Sequence, residues 1–130
     1  MDNTLKIGKY IRQFLIEDER YNEIVGQTKT FPLIANAETD FPFVTYQRTN
    51  AKVKYTKDGR YENLLEVEIT ILCDNYPQSI DLICLVRDIL EGKRYKDEEI
   101  FIRDIRVNEV SEDFNEDTFI QRISFDIDAI

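Results

Sequence analysis

Between residues 64 and 74 the chain alternates strictly. Leu65, Val67, Ile69, Ile71 and Cys73 fall on one parity, and Glu66, Glu68, Thr70, Leu72 and Asp74 on the other. Successive side chains of a strand point to opposite faces, so a period of two makes one face core and leaves the other polar. Three acids on the polar parity repel one another unless they face water or cations. Whatever this chain folds into, it contains a long strand whose apolar side must be covered.

Two segments have the pattern to cover it. Across residues 3–18, Ile7, Tyr10, Ile11, Phe14 and Leu15 recur at helical spacing. Asn3 is placed to cap that helix, because its side-chain oxygen can accept from a free amide of the first turn. The acidic run Glu17-Asp18-Glu19 would sit at the negative end of the helix dipole, so the helix is expected to end up to a turn away. A second helix is expected over residues 77–91. Pro77 suits the first turn, Leu82, Ile83, Leu85, Val86, Ile89 and Leu90 form a wide apolar arc, and Gly92 closes it with a positive φ.

The remaining segments read as strands and turns. Phe31-Pro32-Leu33-Ile34 suits a short edge strand, since proline cannot donate within a sheet. Residues 43–49 form a strand, and residues 50–63 form a long hairpin around the turn signal Asp58-Gly59. Residues 93–99 read as a charged loop. Residues 100–110 form a strand whose apolar parity changes between Ile102 and Ile105, which predicts a bulge near Arg103 and Asp104. Residues 111–117, with four acids, read as a turn. The last strand, 118–128, puts Phe119, Ile123, Phe125 and Ile127 on one face and Arg122, Asp126 and Asp128 on the other. The order α-β-β-β-α-β-β predicts a single α+β domain. Its sheet is mostly antiparallel, of four to six strands, with two helices packed on one face.

Chemistry is hard to find. The 130 residues contain no histidine, the commonest general base and transition-metal ligand. Gly8, Gly26, Gly59 and Gly92 are scattered and build no phosphate-cradling loop. Cys73 and Cys84, eleven apart, match neither a metal nor a redox spacing and are expected to be reduced core thiols. Glu66 and Glu68 with Asp126 would be the one candidate Mg²⁺ set, but an exposed acidic face explains them more simply. Residues 113–117 are acidic yet lack the glycine of a calcium loop. The expectation is a protein that is not an enzyme and holds neither metal nor cofactor. A net charge of −9 argues against general nucleic-acid binding and favours solubility. No run of about 18 apolar residues would span a membrane, and the first ten residues lack the form of a signal peptide, so a cytosolic protein is expected. Tyr21, Tyr55, Tyr61, Tyr76 and Tyr95 fall near loops and element ends, where amphipathic rings either cap the core or mark interfaces.

The phrase Phe41-Pro42-Phe43-Val44-Thr45-Tyr46-Gln47, the long alternating strand, and a helix ending Val86-Arg87-Asp88-Ile89-Leu90-Glu91-Gly92 occur here in one order. In that order, from about Leu5 to Ile127, the chain resembles the bacteriophage tail completion proteins. These are the tail terminators and tail-to-head joining proteins of long-tailed phages. Pro42, Val44 and Tyr46 match the family's strand pattern, and Val86, Arg87, Leu90 and Gly92 its helix end. The hairpin at 50–63 is more basic than the family suggests, and the 96–117 region is longer and more acidic.

The resemblance implies a non-enzymatic subunit of a sixfold ring. That ring ends the tail tube and joins it to the neck, in a virion tail assembled in a bacterial cytoplasm. Its partners would be further copies of itself, the tail tube protein and a head–tail connector or neck protein. DNA would pass through the lumen without specific binding, and no membrane is involved. A closed ring repeats one patch against a different patch. The basic arm Lys52, Lys54, Lys57 and Arg60, with Tyr55, is the candidate for one patch, and Glu112, Asp113, Glu116 and Asp117 for its complement. Glu66, Glu68, Asp74, Asp126 and Asp128 are the candidates to line the lumen. Two alternatives stand beside this reading. One is another connector subunit, an adaptor or stopper. The other is a monomeric binding or inhibitor module.

Overall fold

A computed structural model of the chain describes residues 3–55, 57 and 61–130. A 3₁₀ turn, Thr4–Lys6, leads into α1 (Ile7–Ile16) and α2 (Glu19–Ile24). The strands β1 (Thr30–Pro32), β2 (Phe43–Tyr55) and β3 (Tyr61–Cys73) precede α3 (Tyr76–Leu90), and β4 (Tyr95–Lys96), β5 (Phe101–Asn115) and β6 (Thr118–Ala129) complete the chain. The six strands form one sheet in the order β1-β2-β3-β6-β5-β4. All neighbours are antiparallel except β1 and β2, which run parallel because loop 33–42 carries the chain back to the same end. The expected α+β layout holds, with a third, short helix added.

The alternating strand lies at the centre. Leu65, Val67, Ile69, Ile71 and Cys73 are wholly buried, and β6 meets them in register with Ile123, Phe125 and Ile127. Ile7, Ile11 and Leu15 of α1 and Leu82, Val86 and Leu90 of α3 close over this side. Both helices therefore lie on one face, and the opposite face of the sheet is open. Gly8 lets α1 approach β2. A Cβ there would stand 3.0 Å from Cε2 of Tyr46, so we expect Gly8→Val to lower stability by about 1–3 kcal/mol despite removing a flexible residue from a helix. Urea unfolding measures this directly, and a neutral or stabilising result would mean that α1 does not press on Tyr46.

Four local expectations are corrected. Asn3 does not cap α1 with its side chain, and its Nδ2 instead reaches the Glu99 carbonyl at 3.4 Å. The acidic run after α1 starts a helix rather than ending one. Asp18 accepts from the backbone N–H groups of Arg20 (2.9 Å) and Tyr21 (3.3 Å), which puts negative charge at the favourable end of α2. Cys84 is exposed, because α3 buries a narrower stripe (Ser79, Leu82, Ile83, Val86 and Leu90) that turns Cys84 outward. Cys73 is the core thiol, its pKa pushed up to about 11 by burial. Tyr21 is wholly buried, which agrees with the core reading of the tyrosines near element ends.

The fourth correction concerns residues 111–115, which are strand. Only Glu116 and Asp117 turn, both with positive φ (49° and 59°), the pattern of a two-residue hairpin whose twist matches its strands. The bulge expected near Arg103 is present, between Ile102 and Asp104, and a second lies between Val107 and Glu109. Asp58-Gly59 and Arg60 lie outside the described residues, and the β2–β3 ladder can be followed to Tyr55 opposite Tyr61.

Candidate assembly surfaces

The two long hairpins point in opposite directions. The β2–β3 ladder ends at Tyr55 and Tyr61, and the β5–β6 ladder ends at Asn115 and Thr118. Because Asn63 pairs with Ala129 and Cys73 with Phe119, these tips lie at the two ends of β3, roughly 40 Å apart at about 3.3 Å per residue. The predicted basic and acidic sets therefore belong to opposite ends of one sheet.

At the first end, Lys52 and Lys54 pair with Leu64 and Glu62 and lie on the open face. Lys57 is exposed in the turn, and Tyr55, 73% exposed, belongs to the helix-side parity. The predicted Arg60 lies outside the described residues. At the other end the four acids do not form one face. Glu112 is on the helix side, where it accepts from the Tyr76 hydroxyl (2.8 Å) and from Nε2 of the buried Gln121 (3.0 Å). The Gln121 amide, and after it the Tyr76 hydroxyl, holds the Glu112 carboxyl below its usual range. Asp113 is on the open face, 3.9 Å from Arg122, and accepts from the Phe114 N–H at 2.8 Å. Glu116 and Asp117 form the exposed tip.

The structure brings Glu66, Glu68, Asp126 and Asp128 together on the open face, with Glu66 opposite Asp126. Asp74 lies beyond the end of β3 and accepts from Asn75 Nδ2 at 3.1 Å. The open face is not uniformly acidic. Arg103, displaced by the first bulge, donates twice to Asp128 Oδ1 (3.1 and 2.7 Å) and lies 3.6 Å from Glu62. Arg106 meets Asp104 at 2.5 Å. Glu66 accepts from Thr49 Oγ1 at 2.7 Å and from Asn108 Nδ2 at 3.3 Å, so neutral donors engage both of its oxygens. Among the described residues no three His, Cys, Asp or Glu side chains are grouped to hold a metal ion.

Sequence reasoning missed an apolar component. Val110 and Phe114 are 48% and 55% exposed on the helix side of β5, on either side of Glu112, which Tyr76 of α3 reaches. Phe114 touches Phe119 (centroids 4.8 Å apart), which in turn meets Tyr76 edge-on at 5.8 Å. The signal is the spacing of Val110 and Phe114 on one parity, which the four acids of residues 111–117 mask by their resemblance to a turn.

Compared as a sequence, the chain matches no family model and no curated protein. Compared as a fold, it has a counterpart. One chain of the virion of a native gene transfer agent particle shares this fold. The match has a TM-score of 0.75 at 14% identity and covers 92% of this chain and 90% of that one. The match takes in nearly all of both chains, and at this identity it is a likeness of fold.

Proposed function

We propose that this protein is a structural subunit of a phage or prophage tail. In this reading it closes into a ring, sixfold as the sequence resemblance implies, that ends the tail tube and joins it to the neck. The observation that carries the proposal is the end-to-end fold likeness to a chain of a gene transfer agent virion. It is supported by the placement of unlike charge at opposite ends of one sheet. A ring needs two different patches on each subunit, each facing a different neighbour. The open sheet face, with Glu66, Glu68 and Asp126, would face the lumen, where carboxylates keep passing DNA from sticking. The tail tube protein and a neck protein would stack on the ring's two ends, and no catalytic role is assigned.

Light scattering behind size exclusion, over a concentration series at low and high salt, tests the reading. The expected result is a mass near six times 15.4 kDa, reached at lower concentration when salt is low, since screening weakens contacts between exposed charges. A mass of one subunit under every condition would move the weight to a monomeric binding module.

A further inference from the structure

The sheet has two long edges with no neighbouring strand among the described residues, and the two edges match. β1 pairs with β2 only at residues 44–46, and β4 pairs with β5 only at residues 101 and 102. Residues 47–54 of β2 and 108–115 of β5 are thus edge strand, and all of them are exposed except the half-buried Ala51. An uncovered edge presents a row of backbone donors and acceptors that invites another strand.

We infer that the β2 edge of one copy pairs with the β5 edge of the next, so that the sheet continues from subunit to subunit. The occupant is a second copy because the complementarity lies within one chain. Residues 47–54 contain Arg48, Lys52 and Lys54 and no acid, whereas 108–115 contain Glu109, Glu112 and Asp113 and no cation. The match holds face by face. On the open face Lys54 would stand opposite Glu109 and Lys52 opposite Ser111, diagonal to Asp113, and on the helix side Val53 would meet Val110 while Ala51 stands opposite Glu112 and diagonal to Phe114. Lysines that only guarded an edge against pairing would need no such counterpart on the far side of the sheet.

The topology permits the join. β2 and β5 run in opposite directions within a subunit. Rotation about a ring axis preserves strand direction, so the junction is antiparallel. Setting 47–54 against 108–115 offsets neighbouring subunits by about six residues, roughly 20 Å along the strand. Spread over the four strand spacings that separate one β2 from the next, at about 4.8 Å each, this inclines the strands roughly 45° to the axis, near the tilt of a closed barrel. With that offset β1 and β4 clear the neighbour and act as stops at the two ends of the junction.

The inference rests on the ring reading, and the test separates the two. Amide hydrogen exchange is followed in the wild type below and above its assembly concentration, beside Lys52→Glu/Lys54→Glu, Glu109→Lys/Asp113→Lys and the combined fourfold variant. Exchange in 47–54 and 108–115 is expected to slow at least about tenfold on assembly. Each double variant should raise the assembly midpoint by about a hundredfold, and the fourfold variant should restore most of it, because like charges are again opposed by unlike. A ring whose edge amides still exchange at the monomer rate, or one indifferent to either double variant, overturns the pairing and leaves the ring standing. A wild type that stays monomeric throughout overturns both.

Discussion

Replacing Ile69 with alanine is expected to lower the unfolding free energy by about 3 kcal/mol, within the range for truncating a buried aliphatic side chain. Ile69 sits mid-way along the central strand, wholly buried, opposite Tyr46 on β2 and Ile123 on β6. Its side chain cannot be replaced by collapse from one direction, because β-strands flank it on both sides and the helices close the third. The cost is therefore transfer free energy plus a cavity. For a chain of this size it should appear as a fall of roughly 10 °C in melting temperature. The control is one residue away. Glu68→Ala, on the open face, is expected to change stability by no more than about 0.5 kcal/mol. Urea titration of both variants decides the matter. Similar losses at 68 and 69 would mean that the two faces of β3 are not core and solvent, and the whole arrangement of helices on one side would go with them.

That contrast also shows which parts of the fold were legible in sequence. The period of two in β3 is a direct record of burial, so its faces were readable residue by residue. The bulge at Arg103 was equally readable, because an extra residue shifts the apolar parity from Ile102 to Ile105. The acidic turn was not. Four acids within seven residues look like a loop, yet Glu112 is held by Tyr76 and Gln121, and Val110 and Phe114 continue the strand's helix-side parity. Composition outweighed periodicity there, and with it went the length of the β5 edge. Cys84 failed for a related reason. A helix with apolar residues over a wide arc buries only the stripe that meets the sheet, and sequence alone does not say where that stripe is centred. The charge sets of the candidate surfaces could be named from sequence, but their placement at opposite ends of one sheet depends on strand register. Register is a non-local property, and nothing in a single segment encodes it.

The short helix α2 was invisible for a different reason, and it supports the second large expected effect. Six residues are too few for a helical period, so α2 is held by tertiary contacts, chiefly the wholly buried Tyr21. Tyr21→Ala is expected to cost about 3–5 kcal/mol. Tyr21→Phe isolates the hydroxyl, which lies 2.6 Å from Oγ1 of the buried Thr30. Removing one partner leaves the other buried and unpaired, a loss of about 1–2 kcal/mol, whereas Tyr21→Phe with Thr30→Val should cost clearly less than the sum of the two. Burial holds the Tyr21 phenol protonated far above its ordinary pKa of 10.0, more than the Thr30 contact and Arg12 pull it down. The folded state therefore keeps a proton that the unfolded chain gives up. Stability is complete below about pH 10 and falls above it, by about 1.4 kcal/mol per pH unit for this group. Tyr10, raised in the same direction chiefly by burial, contributes a fall of its own that Tyr21→Phe leaves in place. Stability measured from pH 8 to 11 should thus fall less steeply in Tyr21→Phe than in the wild type, and identical slopes would mean that the ring is not buried. The consequence reaches the assembly edge. Tyr21 and Arg12, which donates to the Thr30 carbonyl at 3.3 Å, fix β1 against β2, and β1 is what closes the β2 edge below residue 47. Loss of Tyr21 should therefore speed amide exchange at Val44, whose N–H donates to Lys29, and lengthen the uncovered edge, so that subunit pairing loses the stop that sets its register.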